Sequence, residues 1–324
     1  ALGQFSSITP SLPLVSDWTS PRPLLSLPSP TDPKSPRTRA AIPPKRAEGG
    51  VRRTVRSRIA PCEGASLCAV SESLPRSRAW KPEVARLPFA ELDGDTVTLH
   101  DVRDTRYPKP GEPYEVIWGT RTYDLASLRR LWFVVEPFMP SLPFIAHTFI
   151  SFEFEDDFLA LSVEARLRRD QRYSILRGMI GRFALTYSFG TERDLVLLRT
   201  AYKEHELYLY PLVTPPLEVR ALFLNVLASA NALHDRPRRY HSVTHNCTSV
   251  LRHHANQVRP GSFPPFILAD VMPGRSDRVL YRKGWIDTDV AEERLRPAHA
   301  VRDQALAASD QPDFSRRLRA GLPV

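Results

Sequence analysis

Three residues have the types and the settings for nucleophilic thiol chemistry: Cys247, His147 and Glu164. Thr244–Asn246 reads as the start of a helix running to about Val258, which puts Cys247 in its first turn. There the unpaired backbone N–H groups and the positive end of the helix dipole favour the thiolate, the form that attacks carbonyl carbon. Such a nucleophile needs a base, and the base needs a group that fixes its tautomer. His147 on one strand and Glu164 on the next supply both, and the N–H of Cys247 offers one oxyanion donor. The residue types alone leave a plainer reading open. A lone Cys can be a small core residue, His147 structural, and Glu164 the solvated end of a strand.

The elements that must position these groups are legible as periodicities. His147-Thr-Phe-Ile-Ser-Phe-Glu-Phe154 alternates with period two. Thr148, Ile150, Phe152 and Phe154 share one face, and His147, Phe149, Ser151 and Glu153 the other. Glu155-Asp-Asp157 turns the chain, and 158–165 alternates again with Leu159, Leu161 and Val163 on one face. Joining the apolar faces allows two registers. One sets His147 opposite Glu164; the other slides by two, so that Arg166 faces His147 and Glu164 lies diagonal. Phe89–Leu99 reads as a hairpin turning at Asp93-Gly94, where positive φ is needed. Leu131–Val135 and Leu207–Val213 read as strands. Leu195–Arg199 reads as the start of a helix capped by the preceding Thr191–Asp194. A long helix follows from Thr214-Pro-Pro to about Leu233, with Val219, Leu222, Phe223, Val226, Leu227 and Ala230 as its buried stripe. A final helix is expected over 290–308. The fold class expected is α+β, an antiparallel sheet with packed helices.

Glu192, Asp194 and Arg199 fit either a substrate groove or a buried ion-pair brace. Arg166 fits phosphate or carboxylate binding, or a hairpin-fixing pair with an acid. Asn246 reads as a helix cap first and an oxyanion helper second. His241, His245, His253 and His254 flank Cys247 in sequence, but their angles around the helix and the lack of a nearby carboxylate argue against metal; no metal and no other cofactor is expected. Cys62 and Cys68, five residues apart, are either a small disulfide loop or two idle thiols.

The chain has 324 residues, 42% apolar and 25% charged, an ordinary globular composition. Residues 1–76 hold 12 of the 31 prolines and 11 Lys/Arg against 5 Asp/Glu, so +6 of the net +9 falls there. This leader is expected to be disordered, with 77–323 as the folded domain. Its Val51–Arg58 run could touch phosphate or an anionic membrane surface. No basic and aromatic interleaving marks a nucleic-acid surface in the body, and no nucleic-acid partner is expected. No stretch reaches the roughly 18–20 apolar residues of a bilayer span, and no signal-peptide pattern precedes the domain. The residues by themselves assign neither compartment nor oligomeric state.

Several motifs in order resemble one family. They are His147-Thr-Phe-Ile-Ser-Phe152, Ser162-Val-Glu-Ala-Arg166, Glu192-Arg-Asp194 with Arg199-Thr-Ala-Tyr202, and Asn246-Cys-Thr248. Ser77-Arg-Ala-Trp80, Arg121-Thr-Tyr-Asp124 and Asp313-Phe-Ser315 extend the resemblance over about 77–323. The family is the one named for the N-terminal periplasmic domain of Lnb, the lipoprotein N-acyltransferase. The resemblance implies a permuted papain-like (NlpC-type) fold in which the His strand precedes the Cys helix. It also implies a periplasmic or cell-envelope location, with Cys247 as nucleophile, His147 as base and Glu164 as orienter. The expected activity is acyl transfer through a thioester, from a lipid to an amine such as a lipoprotein N-terminus. Cell-wall amide hydrolysis at the same site and a non-catalytic envelope binding module are the alternatives. An apolar groove beside the thiol would favour the first, and a wet open cleft the second.

Overall fold

A computed structural model describes residues 57–58, 80–139 and 141–323. The expectations for the leader, including Cys62 and Cys68, lie outside the described residues apart from Ser57–Arg58. Five strands precede the His-bearing one: β1 (Ser57–Arg58), β2 (Phe89–Asp93), β3 (Thr96–Arg103), β4 (Trp118–Asp124) and β5 (Leu128–Pro137). β2 and β3 form the expected hairpin, and Gly94 at its turn has φ of 58°. The alternating pair then folds as β6 (Ala146–Phe154) and β7 (Phe158–Arg166). After a short helix α1 (Ile175–Met179) comes β8 (Phe183–Thr191), which leads into α2 (Glu192–Leu197) and a π turn at Leu198–Tyr202. β9 (Tyr208–Pro211), α3 (Pro216–Asp235), β10 (Arg239–Tyr240) and α4 (Cys247–Val258) follow. The chain closes with α5 (Leu268–Val271), α6 (Ser276–Arg282), α7 (Leu295–Ala298), α8 (Arg302–Ala307) and α9 (Phe314–Leu318).

The main sheet runs β1-β2-β3-β8-β7-β6-β5-β9, with β4 on β3 and β10 on β8. Its pairings are antiparallel except for one parallel contact, Arg103 with Gly190, which joins the β2–β4 layer to β8. This is the mixed α+β architecture that the periodicities imply. Of the two registers, the first is realised. Phe149 pairs with Ser162 and Ile150 with Leu161, the register that, continued, sets His147 across from Glu164; the paired ladder itself ends at Phe149 and Ser162.

Each sheet face carries its own core, because alternation sends successive side chains to opposite sides. Ile150, Phe152, Phe154, Leu159, Leu161 and Val163 meet the α3 stripe, and all six stripe residues foreseen from its spacing are buried. On the other face Trp132, Val134, Phe149 and Ala160 meet Leu195–Leu197 of α2 and Val301 and Phe314 near the C-terminus. The single final helix expected over 290–308 does not form. The chain breaks at His299–Ala300, where the N–H of Leu209 takes the carbonyl of His299 and the N–H of Val301 takes that of Leu207. Backbone pairing with β9 therefore outcompetes helix continuation, and Pro297 could not have donated an intrahelical bond in any case.

Candidate functional site

His147 sits near the start of β6 in a row of polar residues that crosses the sheet. Glu136 of β5 is its cross-strand partner, Glu164 lies near the end of the neighbouring β7, and Thr186 of β8 pairs with Glu164. All face the side covered by α2 and the π turn. Contrary to expectation, the group that touches the imidazole is Ser162 and not Glu164. His147 Nε2 and Ser162 Oγ are 2.6 Å apart. The ring of His147 also stacks on Phe149, with centroids 6.2 Å apart. With Nε2 engaged by Ser162, Nδ1 is the nitrogen left for a proton acceptor role.

Arg199, delivered by the π turn, organises the carboxylates. Its Nε donates to Glu136 Oε2 at 2.7 Å, and its Nη2 to Glu164 Oε1 at 3.2 Å and to Ser162 Oγ at 3.4 Å. Its guanidinium lies 4.5 Å over the ring of Phe149. His205 Nδ1 takes the other Glu136 oxygen at 2.7 Å. Burial alone would raise both carboxyls, but Arg199 outweighs it. Glu136 is held far below the usual carboxylate range by Arg199, the hydrogen bond from His205, Lys203 and His147. Glu164 is held down to about 2 by Arg199, His147, Arg103 and Lys203. Ser162, and not Glu164, is the residue hydrogen-bonded to His147.

Cys247 is the first residue of α4 and is 4% exposed. Asn246 caps the helix reciprocally: its Oδ1 accepts the Ser249 N–H at 2.8 Å, and its own N–H donates to Ser249 Oγ at 2.9 Å. Helix geometry leaves the N–H groups of Cys247 and Thr248 without intrahelical acceptors. Burial pushes the Cys247 thiol up. The charge and hydrogen bond of His147, with hydrogen bonds from Thr148, more than reverse this and bring it down from 9.0 to about 7. The thiol and the imidazole therefore lie together, although α4 and β6 are a hundred positions apart in sequence. Thr248 Oγ1 lies 3.9 Å from the sulfur and 3.0 Å from Thr148 Oγ1, tying α4 to β6.

The remaining expected residues divide plainly. Asn246 is a cap, and its Nδ2 is fully used, donating to the carbonyls of Ser242 (2.8 Å) and Asp270 (2.6 Å). The oxyanion role sketched for its amide has no free proton to use. Glu192 and Asp194 are buried braces: Glu192 takes both Nη atoms of Arg319 at 2.7 Å, and Asp194 binds Arg103, Tyr107 and the N–H of Thr105. Arg199 belongs to the site. Arg166 does not: it donates to the carbonyls of Val84 and Ala85 and lies 4.4 Å over Trp80, with no acid partner among the described residues. The four histidines near Cys247 form no metal-binding group among the described residues.

Three participants escaped the sequence. Ser162 lay on the correct face of β7 as a lone hydroxyl between apolar neighbours. Glu136 ended what looked like a strand stopped by Pro137. Tyr240, on the two-residue strand β10, is buried beside the thiol, and its hydroxyl is pushed well above its ordinary range by burial and by Cys247. It stays protonated as a donor.

Next to this cluster, between α4 and the α3-facing side of the sheet, is an apolar cavity of about 120 Å³. Ile150, Leu251, Ala255, Phe263 and Trp285 line it, and Thr248 borders it at the end nearest the thiol. Its helical wall runs from Thr248 to Arg259, roughly 16 Å at about 1.5 Å per residue. No described helix is long and apolar enough to cross a membrane. Residues 114–272 match the family profile of the Lnb N-terminal periplasmic domain. No curated protein and no solved structure matches the chain.

Proposed function

We propose, from the match of residues 114–272 to the Lnb N-terminal periplasmic domain family and from the geometry around the thiol, a cysteine-nucleophile acyltransferase. The observation that carries the reading is the buried Cys247 as first residue of a capped α4, close enough to His147 for the imidazole to lower its thiol, with His147 Nε2 held by Ser162. The order of the parts, a His strand ahead of a Cys helix, fits a permuted papain-like enzyme. The family's name points to the periplasm and to lipoprotein acylation.

In the first half-reaction the Cys247 thiolate attacks the ester carbonyl of a lipid. The oxyanion forms beside the N–H of Cys247, and Tyr240 offers a second donor. The ester C–O bond breaks, the leaving alkoxide takes the proton of the His147 imidazolium, and the acyl group remains as a thioester on Sγ. In the second half-reaction an amine attacks the thioester, His147 removes its proton, and the C–S bond breaks to release the amide and restore the thiolate. In this reading Glu136, paired with His147 across the sheet, is the counterpart of the carboxylate in a serine triad. The apolar cavity bordering Thr248 favours a fatty acyl group over a peptidoglycan stem, and so transfer over cell-wall hydrolysis.

Intact-mass spectrometry after incubation with phospholipid vesicles tests this. The wild type is expected to gain one acyl mass, located on Cys247 by peptide mapping, and Cys247→Ser to gain none at that residue. Equal turnover by wild type and Cys247→Ala would end the reading.

A further inference from the structure

The surface around the start of α4 carries a set of apolar side chains that the thiol chemistry does not use. Leu176 is 74% exposed and Ile180 65%; Ile175, Met179 and Tyr173 beside them are also exposed. Residues 175, 176, 179 and 180 follow helical spacing, so they project from one side of α1. In and just before α5, Phe266, Leu268 and Val271 are exposed as well. Soluble surfaces rarely leave so many large apolar groups together without a partner.

Both loops are fixed to the nucleophile's helix by one side chain. Asn246 Nδ2 donates to Ser242 O and to Asp270 O. Ser242 Oγ in turn donates to Ile175 O at 2.9 Å, and Gly178 packs so closely against Ser242 that a Cβ there would collide with its hydroxyl. The segments that carry the apolar residues of α1 and of α5 are therefore both tied to the residue that precedes Cys247. Charge identifies what they meet. Between Ala165 and Arg182 there are six arginines and one acid, Asp170. Arg169, Arg172, Arg177 and Arg182 are exposed around the apolar residues of α1. Apolar side chains ringed by arginines match a bilayer whose headgroups are anionic: the side chains enter the headgroup–acyl boundary while the guanidiniums stay with the phosphates.

We infer that the α1 and α5 loops form a docking face that seats the domain on an anionic lipid surface with Cys247 beside it. The inference goes beyond the acyl-transfer reading and does not need it, because docking is measured without turnover. Full-length protein is mixed with vesicles of phosphatidylcholine alone, or with 30 mol% phosphatidylglycerol, and floated at low salt and in about 0.5 M NaCl, where exposed charges are screened. Wild type is expected to float with the anionic vesicles, and a fraction to stay bound in high salt through the apolar contacts. The Leu176→Glu/Ile180→Glu variant should lose that salt-resistant fraction by more than about tenfold, since two large apolar contacts are removed. Arg172→Glu/Arg177→Glu should lose mainly the preference for anionic lipid. Leu217→Glu, 81% exposed on α3, is the control that should bind as wild type. Circular dichroism confirms that the variants are folded. Undiminished high-salt binding by the Leu176/Ile180 variant overturns the inference. So does a wild type that stays off vesicles while that variant dissolves a dimer seen by sedimentation, because the face would then join two copies.

Discussion

At the scale of single residues, His147 is controlled by two kinds of neighbour that do different work. In the proposed mechanism Ser162 supplies direction through its 2.6 Å contact with Nε2, whereas the ionised Glu136 and Glu164 supply potential. Their charges would repel one another across the imidazole were Arg199 not bonded to both. These roles separate experimentally. Alkylation of Cys247 by iodoacetamide should rise with pH through a midpoint near 7, because the thiolate forms above the thiol pKa of about 7. In His147→Ala the neighbour that lowers the thiol is gone while burial remains, so the midpoint should move above about 8.5. In Ser162→Ala the potential survives and the direction is lost. The midpoint should stay within about half a unit of wild type while kcat falls about 10- to 100-fold, as for a displaced base. A Ser162→Ala midpoint that moves as far as that of His147→Ala would refute this division of labour.

At the scale of elements, α4 does three things at once: its start presents the sulfur, its cap ties down two surface loops, and one of its sides walls the apolar cavity. If an acyl chain lies along that wall, a larger side chain midway should shorten it. Ala255→Phe fills part of a cavity of about 120 Å³ two turns beyond Cys247. With vesicles of mixed chain length, the mass added to Cys247 should shift toward shorter acyl groups, whereas an unchanged adduct distribution would place the chain elsewhere. The sequence showed much of this framework, because its signals are local. Alternation placed His147 and Glu164 on one face of β6 and β7, spacing defined the α3 stripe, and Asn246-Cys-Thr248 marked a capped helix. What it hid depends on contacts between distant elements. Ser162 is one hydroxyl in an apolar strand until the register with β6 is known. Glu136 becomes part of the site only because β5 continues to Pro137 at the sheet's interior. Tyr240 is brought to the thiol by a two-residue strand too short to have a period, and the break at His299–Ala300 follows from pairing with β9.

At the scale of the whole molecule, the same helix makes the fold sensitive to acid. His254, on α4 and 2% exposed, hydrogen-bonds Tyr187 and Asn225 and is lowered to about 3 by burial, with smaller contributions from His253 and Arg238. Its ordinary value is 6.5. Below that value the unfolded chain takes up a proton that the folded chain refuses until about pH 3. Stability must therefore fall as pH drops through this window, by about 1.4 kcal/mol per unit when the shift is fully expressed. His245 and His253, half-buried beside it, are pushed the same way, also by burial first. The carboxylates held by arginines act lower down. Glu164 and Glu192 are held below their ordinary 4.5, so what they contribute is complete above that value and is lost as pH falls beneath it. Two limbs are expected in the urea midpoint of the wild type, one beginning near pH 6.5 and a steeper one below about 4.5. Replacing His254 by Gln, which can keep one of the two hydrogen bonds, should lower the midpoint at pH 7 and remove most of the upper limb while sparing the lower. A wild-type midpoint that is flat from pH 7 to 5 would mean that His254 is protonated in the fold. The packing of α4 on β8 through Tyr187 would then have to differ from the neutral contact that holds the Cys247 helix in place.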